Sequence, residues 1–100
     1  MKGKIKETKT KTNFNEISEE IYKFEKKAGF DKTSIAQLTK WIEEEVQNYK
    51  KAKSKIIKQN KLLDIICLVL QISRREGMSL DDAWERWWWK SRKYLKGKKT

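Results

Sequence analysis

Between Leu62 and Ile72 the chain carries an almost unbroken apolar run, interrupted only by Asp64 and Gln71. A helical segment that is apolar around most of its circumference belongs at the centre of an assembly. No stretch of alternating polarity persists elsewhere, so the period-two signature of a half-buried strand is missing. Proline is absent and there are four glycines in 100 residues, which leaves little to break helices. The sequence therefore predicts an all-α fold of four helices in one small domain. The run is much shorter than the roughly 20 apolar residues a bilayer-spanning helix needs, and no membrane partner is expected.

Punctuation along the chain places those helices. Residues 1–12 alternate Lys and Thr with almost no apolar side chain, predicting a flexible basic tail outside the core. Asn13 or Asn15 can cap a first helix, whose Phe14, Ile17, Ile21, Phe24 and Ala28 recur at helical spacing. Gly29 is placed to end it. Ser34 with Gln37 three residues on resembles a capping box, opening a second helix with Ile35, Leu38, Trp41 or Ile42, Tyr49 and Ala52 on its inner face. Between Lys50 and Lys61 the Lys-rich sequence has neither glycine nor proline to force a break, so bend, short loop and continued helix all remain open. The third helix, about Ile57 to Glu76, should be the buried centre, terminated by Gly77. Ser79 with Asp82 repeats the capping logic for a fourth helix holding Ala83, Trp84, Trp87, Trp88, Trp89 and Tyr94. The domain is expected over residues 13–96, with a basic tail at 97–100.

One spacing pattern carries chemistry. The second helix reads Ile42-Glu43-Glu44-Glu45-Val46-Gln47-Asn48-Tyr49, and the third contains Lys61-Leu62-Leu63-Asp64 ahead of its apolar run. Residues three and four apart on a helix share a face, so oxygens at 44, 45 and 48 can converge on position 64 of an antiparallel neighbour. Further on comes Gly77-Met78-Ser79-Leu80-Asp81-Asp82-Ala83. In this combination, over roughly Leu38 to Tyr94, the chain resembles the MazG-like all-α nucleotide pyrophosphohydrolases. That family carries Glu-Glu-x-x-Glu on one helix and Glu-x-x-Asp on a later one, followed by a similar Gly-to-Ala turn.

The resemblance implies a helical bundle completed by oligomerisation, as a homodimer or higher homo-oligomer packed through the second and third helices with the fourth closing the side. It implies magnesium held by Glu44, Glu45, Asn48 and Asp64, with Glu44 and Glu45 as the catalytic carboxylates. Its reaction is hydrolysis of a nucleoside triphosphate to monophosphate and pyrophosphate. Magnesium takes oxygen ligands octahedrally and keeps waters and substrate phosphates in its shell. Asn48 stands where the family has a third Glu, and Lys61 where it has a fourth. An ammonium has donors only. Lys61 can therefore mimic the missing cation and leave a weakened or inactive site, or it can point at a substrate phosphate beside one remaining magnesium, with Lys90 and Arg92 as further phosphate contacts. The plainer alternative is that Glu43, Glu44 and Glu45 form a solvated helix face and that Asp64 pairs at the edge of a core helix.

Charge and aromatic residues support a competing class. The formal net charge is +11, and residues 1–12 contribute +4 while residues 86–100 contribute +7 with no acid. The intervening body is neutral. Basic ends on a neutral body can draw polyanions by counterion release, so nucleic acid is a candidate partner. Three consecutive Trp residues, 87 to 89, cannot all face one core, because neighbours sit about 100° apart on a helix. Leu80, Trp84, Trp87 or Trp88 and Ser91 make one stripe, while Trp89 turns elsewhere. Core or dimer packing explains the stripe; a stacking surface flanked by Arg86, Lys90, Arg92 and Lys93 would suit nucleotides or single strands. The alternative function is thus a non-catalytic helical module binding nucleic acid or a protein partner. Other chemistries have little support. Histidine is absent, Cys67 is a lone cysteine inside an apolar run, and no Gly-rich phosphate loop or Gly-x-Ser-x-Gly turn occurs. A lone cysteine and no secretion signal fit a cytoplasmic setting.

Overall fold

A computed structural model describes residues 11–97, with side chains described through residue 95. These residues form four α-helices, α1 (Phe14–Ala28), α2 (Ile35–Lys51), α3 (Lys55–Arg75) and α4 (Leu80–Gly97), with no strand among them. The fold is all-α. None of the helices is long and apolar enough to cross a membrane.

Local chemistry accounts for the boundaries. Gly29 and Gly77 both take left-handed backbone angles, φ 81° and 67°. Each sits where a helix ends in paired bonds: Phe30 N–H donates to the Glu25 carbonyl and Gly29 N–H to Lys26, and the same pattern joins Met78 to Ser73 and Gly77 to Arg74. Only glycine adopts this geometry without a Cβ penalty. Ser34 Oγ accepts from Gln37 N–H at 3.0 Å, Ser54 Oγ from Ile57 N–H at 3.2 Å, and Ser79 Oγ from Asp82 N–H at 3.1 Å. Each of these serines satisfies an otherwise orphaned first-turn donor. The ambiguous Lys-rich stretch resolves as a short break, Ala52 and Ser54 being extended, with Ser54 starting α3.

Asn13 precedes α1 but makes no side-chain capping bond. That role falls to Asp81 of α4, whose carboxylate accepts from Phe14 N–H at 2.8 Å and Asn15 N–H at 3.2 Å. The Thr12 hydroxyl also donates to it, at 2.6 Å. Thr12, expected in a flexible tail, is thus tied to the fold, and Gly97, expected in the C-terminal tail, is the last residue of α4. The remainder of both tails, residues 1–10 and 98–100, lies outside the described residues.

Packing centres on α3, which lies against α2 along one side and α1 along another. The α2 and α3 axes run antiparallel: Lys58 stands over the Tyr49 ring, Lys61 meets Glu45, and Trp41 shares a cleft with Leu68. α1 is fixed to α3 by polar contacts. Arg74 Nε reaches both oxygens of Glu19, at 3.0 and 2.8 Å, and its guanidinium covers the Tyr22 ring at 4.1 Å. Arg75 bonds Glu25 at 3.2 Å, the Phe30 carbonyl at 2.8 Å and the Thr33 carbonyl, so one guanidinium gathers the α1–α2 loop.

Two expectations of burial change. α3 is central, yet Ile56, Leu62, Leu63, Ile66 and Val69 are exposed. The reason is coverage: α1 has 15 residues against 21 in α3 and packs over its C-terminal half, where Leu70 and Ser73 are buried. α4 does not close the side of the α2–α3 pair; its main contact is with α1. Among the described residues only Leu38 (0% exposed) and Leu70 (2%) are fully buried apolar side chains.

Candidate functional site

The α2–α3 pairing brings part of the acidic motif together. Glu45 lies on the α2 face that meets α3, one turn beyond Trp41 and one turn before Asn48. On α3, Lys61 and Asp64 are also one turn apart. Lys61 Nζ stands 3.3 Å from Glu45 Oε1 and 3.9 Å from Asp64 Oδ2. Asn48 Nδ2 donates to the same Glu45 Oε1 at 3.0 Å. One carboxylate oxygen therefore receives an amide donor and an ammonium.

The electrostatics follow from this wiring. Glu45 is held below the usual carboxylate range, chiefly by the Asn48 hydrogen bond, which with Lys61 and Asp64 outweighs the opposing effect of burial. Cys67, one turn beyond Asp64, is half-buried, and its thiol is pushed up first by burial and then by the Asp64 charge. A raised thiol is a poor nucleophile near neutral pH. Trp41, Leu68, Cys67 and Gln71 line an open cleft with Glu45 and Asp64.

Other residues in the sequence pattern stand apart. Glu44 is exposed and does not join the cleft. Lys90 and Arg92 lie on α4 and do not line the cleft. Among the described residues no group of three or more His, Cys, Asp or Glu is arranged to hold a metal ion. The donor set that does assemble comprises two carboxylates, an amide whose nitrogen faces inward, and an ammonium. It does not fit an octahedral magnesium, because the cationic position beside Glu45 is already filled by Lys61.

Trp41 was legible, as an alternative to Ile42, through the apolar spacing of the second helix's inner face; Gln71 was not, since it reads as a polar interruption of an apolar run. α4 presents a second surface. Trp84 stacks on Trp87 with ring centroids 5.3 Å apart and 14° between planes, and meets Trp88 at 6.3 Å. Trp89 points away from them, and the Arg92 guanidinium stands 5.0 Å from its ring. Trp87, Trp88, Ser91, Arg92 and Leu95 border an almost wholly apolar groove. No family model, curated protein or solved structure matches this chain.

Proposed function

We propose that this chain is a MazG-like, nucleotide pyrophosphohydrolase-type helical protein in which an internal ammonium has taken the place of the metal, so that hydrolysis is weakened or lost. The supporting observation is Lys61 between Glu45 and Asp64, at 3.3 and 3.9 Å. An opposite charge that close, together with the Asn48 hydrogen bond, favours the ionised Glu45 carboxylate, as a cation in a metallohydrolase would. It supplies no open coordination position, however, and cannot ready a water for attack as a metal does. The resemblance implies a nucleoside triphosphate as substrate; the cleft beside Trp41 is where such a molecule would meet Glu45 and Asp64. Self-association through the open face of α3 belongs to the same proposal.

Calorimetric titration with magnesium tests the role of Lys61. Lys61→Glu removes a cation and adds a carboxylate, so affinity should rise about tenfold or more, the scale of one neighbouring charge at close range. Unchanged or lower affinity would remove Lys61 from the cation role. In parallel, pyrophosphate release from a panel of nucleoside triphosphates should stay near background. Turnover that disappears in Glu44→Gln or Glu45→Gln would instead make this a working enzyme.

A second reading rests on Arg92 over the Trp89 ring, an aromatic plane beside a cation on exposed helix. It makes the chain a non-catalytic binding module for nucleic acid or a protein partner. Salt-sensitive binding to a single-stranded oligonucleotide, weakened by trimming either basic end, would favour it.

A further inference from the structure

α4 has a division of residues that the cleft does not use. At about 100° per residue, Leu80, Trp84, Trp87, Trp88, Tyr94 and Leu95 fall within an arc of about 120°. Lys90 and Arg92 border that arc on opposite sides, each about 40° beyond its edge, and Arg86 and Lys93 lie on the polar face. Half of the arc is open, with Trp87 52% exposed, Tyr94 62% and Leu95 67%, while Leu80, Trp84 and Trp88 are half-buried. α4 is joined to the body mainly through α1, where Asp81 and Ser79 of its start hold Asn15.

We propose that α4 lies on an anionic lipid surface, with this arc in the acyl boundary and its cations at the headgroups. It does not depend on the pyrophosphohydrolase kinship. The composition is that of interfacial helices, which pair Trp and Leu on one face with Lys and Arg on the other. Trp and Tyr favour the headgroup level because their rings are amphipathic. Basic residues near an anionic leaflet each add attraction, and residues 86–100 hold seven of them with no acid.

That charge also decides among occupants. A second copy with its α4 parallel to this one would bring two acid-free ends together, which repel; an antiparallel copy, which would set residues 86–100 against Asp81, Asp82 and Glu85, is an outcome of the test below. A single-stranded nucleic acid would use aromatic planes set among the cations; Trp89 and Tyr94 are so placed, with Arg92 and Lys93 at their rings, and of these two Tyr94 alone belongs to the arc. Leu95, among the most open residues of the arc, offers no plane for a base. A lipid surface uses both the aliphatic and the aromatic members at once. Sequence reasoning expected no membrane partner because the Leu62–Ile72 run is too short to span; lying on a surface needs no spanning segment.

The test uses the whole chain with vesicles of phosphatidylcholine alone or with about a third phosphatidylglycerol, read by co-sedimentation and Trp emission. Binding should require the anionic lipid, shift emission to the blue and weaken as salt rises. Trp87→Ser with Leu95→Ser, at unchanged helical circular dichroism, should lower vesicle affinity about tenfold or more, while Trp89→Ser changes it less than about twofold. If the double variant loses helicity, quenching of wild-type emission by brominated lipid decides, and unquenched emission overturns the proposal. So does equal binding to neutral and anionic vesicles, or none. Preference for an oligonucleotide with Trp89→Ser as the sensitive change would give α4 to nucleic acid instead. Concentration-dependent association abolished by the double variant would give it to a second copy.

Discussion

Glu25 is 1% exposed and carries a charge, a combination that is costly unless a partner is held against it. Arg75 is that partner, and its terminal nitrogens also donate to the Phe30 and Thr33 carbonyls of the α1–α2 loop. Arg75→Met should therefore destabilise the protein by about 3–5 kcal/mol in chemical denaturation, because it leaves a buried carboxylate without its counter-charge. Adding Glu25→Leu should recover part of the loss. Recovery stays incomplete because the two loop carbonyls also lose their donor. If the double variant is no more stable than Arg75→Met, the burial argument fails. None of this was legible in the sequence. Glu25 is one of several charges on α1, and Arg74 and Arg75 are basic residues in the last turn of α3. The pairing depends on how α1 crosses α3, which no local pattern encodes. Lys61 differs: the family resemblance placed it in the acidic motif, and the structure adds that Asn48 turns its nitrogen, not its carbonyl, towards Glu45.

At the scale of elements, helix ends were the most readable feature, because caps are local. Ser34, Ser79, Gly29 and Gly77 all act where their sequence contexts placed them. Ser54 was missed because it sits inside a Lys-rich stretch with no glycine or proline, although a serine three residues before Ile57 is a capping position. Asn13 holds the N-cap position the sequence offered for α1, but the capping side chain comes from α4, 66 to 67 residues away in the chain. Asp81→Ala should cost about 1 kcal/mol, as other lost caps do, and should speed amide exchange in the first turn of α1 more than elsewhere. Burial alone would raise the Asp81 carboxyl, but the Thr12 hydroxyl and the Asn15 and Phe14 N–H groups together hold it below its ordinary value. A carboxyl lowered in the folded state stabilises fully above its unfolded pKa, near about 4, and that contribution disappears as pH falls through the lower folded value. Stability of the wild type should thus drop below about pH 4 more steeply than that of Asp81→Asn. Parallel pH dependences of the two would rule out the cross-helix cap as its source.

As a whole the described chain extends 49 × 33 × 22 Å with a radius of gyration of 17.1 Å. A compact chain of this length has about 13 Å. The helical class was legible because period and composition determine it; the arrangement was not, since an amphipathic stripe reveals which face is apolar but not what covers it. Leu62, Leu63, Ile66 and Val69 illustrate the point, having the pattern of a core and the exposure of a surface. Small domains bury a limited fraction of their surface, and association is a common way to add to it. We expect sedimentation equilibrium to show a concentration-dependent homo-oligomer. Leu63→Lys with Ile66→Lys should shift it to monomer, because two buried ammonium groups per copy face a matching pair across a two-fold contact, where like charges repel at short range. The same changes lie on exposed positions of α3, so helical content at low concentration should be unchanged. A wild type that remains monomeric at all concentrations would leave the open α3 face without a self-partner and confine the exposed apolar surface used for binding to α4.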